Sequence, residues 1–279
     1  IVPWQLLRDE RGIVLRYIPM LEDGTLDLDE ARRLINPRTK LLSITLMSNA
    51  LGTIVPVADL AELAHDQGAR VLIDAAQAAP HMTIDIEQLG ADFLAFSAHK
   101  MLGPTGIGVL WGRAEVLDAM PPFLGGGEMI LDVRRDGFTP NELPHKFEAG
   151  TPPIAEIIGL GAAVDFLSSL GMSDVRQHEI DLTDYALRAL TDRYGEEITI
   201  HGPSNASERG GVLSIQYRDV HPHDLSQVLD QRGICVRAGH HCAKPLMREL
   251  GVGATARASL YVYNDKSDVD ALTESLAPA

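Results

Sequence analysis

Residues 70–111 read RVLIDAAQAAPHMTIDIEQLGADFLAFSAHKMLGPTGIGVLW. The stretch holds two apolar runs, and each ends in polar groups. Val71, Leu72 and Ile73 lead into Asp74, and Phe93, Leu94, Ala95 and Phe96 lead into Ser97, His99 and Lys100. Short unbroken apolar runs bounded by polar and glycine signals suit strands buried on both faces. In open α/β sheets, ligands sit beyond the carboxyl ends of the strands. Asp74, Ser97, His99 and Lys100 all fall there.

An acid and an amine at neighbouring strand ends match the needs of pyridoxal phosphate (PLP). The amine forms a Schiff base with the aldehyde. The carboxylate keeps the pyridine nitrogen protonated, so that the ring accepts electrons from a carbanion. Ser97 and His99 are donors suited to a phosphate. The plainer reading is an Asp74–Lys100 ion pair at the surface, since most lysines are solvated. Against it, Lys100 lies between an apolar strand and the glycine turn Gly103-Pro104-Thr105-Gly106.

The 279 residues are enough for one large or two modest domains. Hydrophobic residues make up 45% and charged residues 23%, as in ordinary globular proteins. The formal net charge of -15 argues against nonspecific nucleic-acid or anionic-membrane binding. No apolar segment is long enough to span a bilayer. The two cysteines, Cys235 and Cys242, are too few for a disulfide scaffold and fit a reducing, cytoplasmic compartment. The chain opens with IVPWQLLRDERG, which reads like the inside of a helix without an N-cap or an initiating Met. The expectation is a fragment lacking its N-terminal part, incompetent as an enzyme when made alone.

Outward from the central stretch, residues 3–11 read as a helix and Val14–Ile18 as a strand. Asp27 caps a helix that Asn36-Pro37 ends. Leu41–Leu46 is a buried strand ending at Ser48-Asn49, and Val57–Gln67 is an amphipathic helix closed by Gly68. This alternation implies a mostly parallel sheet. Residues 119–150 are rich in Gly and Pro and read as an irregular lid or interface loop. Two helices, Ile154–Leu170 and Asp174–Tyr194, precede a smaller α+β unit. Its strands are expected near Ile198, at Val212–Tyr217, Ile234–Val236 and Ala258–Tyr261, and its helices at His223–Arg232 and Ser267–Leu276. The division is placed near residue 165, giving domains 1–165 and 166–279.

Other residues carry open alternatives. Asn49, at a strand end, is either a partner of the cofactor's phenolic oxygen or an Asx-turn. Cys242, in the loop Ala238-Gly239-His240-His241-Cys242-Ala243, is a mobile nucleophile, an inert cysteine, or a zinc ligand beside two histidines. Consecutive residues rarely complete a tetrahedral site, so no metal is expected. Cys235, inside an apolar run, reads as structural.

DAAQ at 74–77, SAHK at 97–100, GPTGIG at 103–108, FEAGTP at 147–152 and RAGHHCAKPLM at 237–247 occur in order, with SNALGT at 48–53 and RASLYVYN at 257–264. The set resembles the SufS-type (group II) cysteine desulfurases of the aminotransferase class V family, over nearly the whole chain. The resemblance implies the α/β PLP-dependent transferase type I (aspartate aminotransferase-like) fold, with a partial large domain and a small C-terminal α+β domain. It implies conversion of L-cysteine to L-alanine, with persulfide formation on Cys242 and sulfur supplied for iron–sulfur cluster assembly. Lys100 would link the cofactor and move protons, Asp74 would tune the ring, and Gln77 would contact the phenolic oxygen. Arg257 would hold the substrate carboxylate, with Arg237 nearby in a less defined role. Gly150 and Thr151 would reach the phosphate of the other subunit's cofactor in a homodimer, and the sulfur would pass to an acceptor of SufE or SufU type. Two rival functions stay open: selenocysteine lyase, and a catalytically silent fragment that only binds partner proteins.

Overall fold

The structure, a computed structural model, describes residues 1–276. The elements run α1 (Val2–Arg11), α2 (Leu28–Leu34), β1 (Leu41–Thr45), α3 (Val57–Asp66), β2 (Arg70–Asp74), β3 (Phe93–Ser97), β4 (Gly108–Gly112) and α4 (Ala114–Ala119). A hairpin of β5 (Ile130–Arg134) and β6 (Gly137–Pro140) follows, then α5 (Ile154–Leu170) and α6 (Met172–Tyr194). The last part contains β7 (Ile198–His201), β8 (Val212–Tyr217), α7 (Pro222–Asp230), β9 (Arg237–Gly239), α8 (Lys244–Glu249), β10 (Thr255–Ser259) and α9 (Lys266–Ser275).

The first sheet has the order β1-β2-β3-β4, with the first three strands parallel and β4 antiparallel to β3. Val71 and Ile73 are fully buried in β2 and join Ile44, Leu46, Leu60 and Ala64 in one core. Complete burial of such side chains stabilises by roughly 1.5–3 kcal/mol each. The β3–β4 turn is tight. A side chain at Gly108 would meet the Phe96 carbonyl at 2.7 Å, and Gly106 has a φ of +83°, so glycine is required at both. Asp27 caps α2 by accepting from the Glu30 N–H at 2.9 Å, as the sequence indicates.

The second sheet is antiparallel, ordered β7-β8-β10-β9, and packs on α6, α7 and α9. Helix α5 runs unbroken through residue 165 and connects the two parts. Hydrogen bonds tie the sheets together: Ser214 Oγ donates to the Ala50 carbonyl, and Tyr261 Oη to the Pro80 carbonyl at 2.8 Å.

The structure corrects four expectations. Val14–Ile18 is not a strand; the first sheet gives it no partner, and only an isolated Met20–Leu26 bridge forms nearby. Residues 119–150 are not wholly irregular, since β5 and β6 pair across a two-residue turn, Arg135-Asp136. The strand expected at Ile234–Val236 begins instead at Arg237, after the positive-φ turn at Gly233. Cys235 is exposed rather than structural: Ile234 and Val236 pack inward and the residue between them faces out.

Candidate active site

Parallel register brings the polar strand ends to one edge. Asp74 pairs with Thr45 of β1 and Ala95 of β3, and Ser97 lies two residues beyond Ala95. Alternation along β3 therefore puts Ala95 and Ser97 on the same face as Asp74. His99 and Lys100 follow in a 3-10 turn, Ala98–Lys100, with His99 exposed and Lys100 half-buried. Asp74 Oδ1 accepts from the Ala76 N–H at 2.9 Å. Among the described residues Asp74 and Lys100 do not pair with each other. The simple ion-pair reading thus fails. An acid and an amine at one strand edge, unpaired and beside a hydroxyl and an imidazole, form a donor set that fits PLP.

The cysteine loop docks against this edge from the second sheet. Asn49 Nδ2, just past β1, donates to the His241 carbonyl at 2.7 Å. The Asn49 carbonyl in turn accepts from Arg257 Nη1 at 2.7 Å. Arg257 Nε is buried with no hydrogen-bond partner. Burial, and next the charge of Arg237, push the Arg257 guanidinium below its ordinary value. A partly desolvated cation with an unused donor suits an incoming carboxylate.

Cys242 is free and exposed, and Arg237 Nη2 stands 3.5 Å from its Sγ. His241 and Cys242 have φ values of +51° and +61°. Two consecutive non-glycine residues in the left-handed region are uncommon and costly. His241 anchors the turn: it is 1% exposed, and its Nε2 meets Thr255 Oγ1 at 2.8 Å. Burial, followed by the Arg257 and Arg237 charges, holds its pKa down to about 4. The proton is therefore excluded in the folded state, and unfolding releases that constraint. Stability contributed by neutral His241 is complete above about pH 6.5, the ordinary histidine value, and is lost as pH falls from there toward 4. His241→Gln should flatten the Tm-versus-pH curve in that window, as calorimetry at fixed ionic strength would register. An unchanged slope would assign the acid sensitivity to other groups.

The remaining candidates take separate places. Gln77 is half-buried, with its Nε2 3.3 Å from His81 Nε2. Gly150 and Thr151 lie on an exposed turn where Gly150 has a φ of +85° and donates to the Gly127 carbonyl at 2.9 Å. Neither is hydrogen-bonded to Asp74, Ser97, His99 or Lys100 among the described residues. Sequence reasoning missed His81 and Glu179, whose side chains are buried against each other. The spacing of Gln77 and His81 by four residues was the available signal, since it stacks side chains in a helical turn.

The aminotransferase class-V family model matches residues 1–272. A protein of Streptomyces coelicolor named a probable cysteine desulfurase is 51% identical over 276 residues, spanning 99% of this chain and 66% of that protein. A cysteine desulfurase of Haloferax volcanii is 46% identical over 279 residues, spanning 100% of this chain and 65% of that protein. The chain thus spans about two thirds of the length of the curated relatives it matches. The apo structure of a cysteine desulfurase from Thermococcus onnurineus superposes with a TM-score of 0.94 at 41% identity, covering 98% of this chain and 68% of that one. With a PLP-compatible strand edge, a type I transferase fold and a family match across nearly its whole length, the chain belongs to the aminotransferase class-V family, whose cysteine desulfurases depend on PLP.

Proposed function

We propose that this chain carries the catalytic groups of a PLP-dependent cysteine desulfurase that converts L-cysteine to L-alanine. The observation that carries the reading is the Asn49 bridge, which joins the thiol loop and Arg257 to the edge bearing Asp74 and Lys100. When bound, PLP supplies a carbonyl for amines and an electron sink. Lys100 Nζ holds the cofactor and then carries protons to and from substrate carbon. Asp74 would pair with the ring nitrogen, Gln77 and Asn49 would serve the phenolic oxygen, and Ser97 and His99 would hold the phosphate. Arg257 clamps the substrate carboxylate, and Arg237 sets a positive charge beside the sulfur. Cys242 Sγ, as the thiolate, would attack the substrate sulfur: the S–S bond forms, the carbon–sulfur bond breaks, and its electron pair stays with the carbon, which takes up a proton on the way to alanine.

In this reading residues 1–165 hold the cofactor and residues 166–279 carry the thiol loop. The sulfur goes to a SufE- or SufU-type acceptor for iron–sulfur assembly in the cytoplasm, as in SufS-type enzymes. Gly150 and Thr151 serve the phosphate site of a partner copy. The homodimer is supported by exposed apolar side chains on α5 (Ile154, Ile158, Phe166) and on the hairpin (Leu131, Val133, Phe138).

The test is to incubate the PLP-loaded protein with L-cysteine and quantify alanine and protein-bound sulfur. Equal amounts in a first turnover support the reading; no alanine, even when the chain is joined to the part of a relative that it does not span, overturns it. Selenocysteine in parallel decides between lyase and desulfurase preference. In the same assay Arg257→Lys should raise KM for cysteine, because the planar fork is lost while the charge remains. The expected loss in kcat/KM is about 1.5–3 kcal/mol, the range for a hydrogen bond to a charged group. Unaltered kcat/KM would assign the carboxylate to another residue.

A further inference from the structure

Behind Gln77 runs a buried chain of polar side chains that the desulfurase chemistry leaves unused. Gln77 Nε2 lies 3.3 Å from His81 Nε2, and on the far side of the ring His81 Nδ1 makes a short, bent contact of 2.7 Å with Glu179 Oε1. Glu179 comes from α6, in the other half of the chain, and is 3% exposed; His81 is 7% exposed. Glu179 is itself held from two sides. Its Oε1 accepts from the Gly211 N–H at 2.8 Å, and its Oε2 accepts from Arg176 Nη1 at 2.8 Å. The Tyr261 ring packs against the imidazole at 4.6 Å in an edge arrangement, and its hydroxyl donates to the Pro80 carbonyl. Burial alone would raise the Glu179 pKa, yet its contacts with His81, Gly211 and Arg176 outweigh this and leave it below the ordinary value.

A carboxylate on one ring nitrogen decides what the other nitrogen offers. With the proton on Nδ1, beside the Glu179 carboxylate, Nε2 carries a lone pair and accepts one hydrogen of the Gln77 amide. An amide NH2 has two hydrogens, so one is left to donate elsewhere. The direction of that amide is otherwise ambiguous, because either end of it can rotate toward the strand edge. We infer that Glu179 and His81 are positioning residues that orient the Gln77 amide, so that an N–H rather than a carbonyl faces the cofactor oxygen. This rests on the reading that PLP binds at Asp74 and Lys100. The first half of the chain supplies the contact, and the second half decides its polarity.

The experiment measures PLP dissociation constants and the visible absorption maximum of the PLP-loaded protein for Gln77→Ala, His81→Phe, Glu179→Gln and the double variant Gln77→Ala/His81→Phe. Phenylalanine keeps a ring against Tyr261 but cannot hydrogen-bond. The three single variants should shift the absorption maximum in the same direction and weaken PLP binding by roughly tenfold, as for one lost hydrogen bond to a charged group. The double variant should be no worse than Gln77→Ala, since His81 acts only through Gln77. A purely structural role predicts otherwise: His81→Phe would lower Tm but keep the parental spectrum and affinity, or its effect would add to that of Gln77→Ala. Either result overturns the inference. Should Glu179→Gln or His81→Phe fail to fold, His81→Asn, which is smaller and polar, replaces it in the same cycle. Failure of the parent reading looks different, because the unsubstituted protein would then bind no PLP, or Lys100→Ala would keep the visible band; the inference falls with it.

Discussion

Lys100→Ala is expected to abolish the visible absorption band of the PLP-loaded protein and to lower alanine production by at least ~1000-fold. The residue stands at the end of the 3-10 turn after β3, half-buried and beside Ser97. It carries the one amine in the conjunction with Asp74, and no other lysine follows a strand of the first sheet at this edge. Losing it removes both the covalent anchor and the proton carrier, so the two effects arise together. Residual, weaker PLP binding through Asp74, Ser97 and His99 is compatible with the assignment. A visible band of parental shape in the variant would move the anchor to another lysine. Circular dichroism and Tm should stay close to the parent, because the side chain is only half-buried and unpaired among the described residues.

Cys242→Ser should separate cofactor binding from sulfur transfer. Cys242 is exposed on a loop, so the replacement removes no core packing, and both PLP content and Tm should remain parental. Sulfur release should fall by at least ~1000-fold. A serine hydroxyl is a weak nucleophile without an adjacent base, and the Arg237 guanidinium, 3.5 Å from Sγ, is a cation rather than a base. Mass spectrometry after one turnover should find an added sulfur on the parent and none on the variant. Parental release by the serine form would mean that the acceptor is elsewhere, with exposed Cys235 as the next residue to replace.

The correction on Cys235 has a local origin. The two thiols flank β9: Cys242 follows it in a loop marked by Gly239, His240 and His241, whereas Cys235, before it, differs from a core cysteine only in which way one extended residue faces. The parity of a three-residue strand is set by where it starts, and Gly233 moved that start beyond the apolar run. The hairpin β5–β6 was missed for a related reason. Leu131, Val133 and Phe138 are exposed, so no buried face marked the strands.

What the sequence by itself determined was the set of groups whose spacing is short: Asp74 and Gln77 after one strand, Ser97, His99 and Lys100 after the next, Cys242 in its loop. Strand, turn and reactive side chain are there covalently coupled, so residue type and local pattern suffice. Only the tertiary structure decided what meets across sequence separations of 192 and 208 residues, Asn49 with His241 and Arg257 with Asn49. It alone made Glu179 the support of His81 and Gln77. A glutamate on an amphipathic helix reads as solvated. Its burial depends on how α6 packs against the loop after β2, and that packing is a sum of many weak apolar contacts that no local window contains.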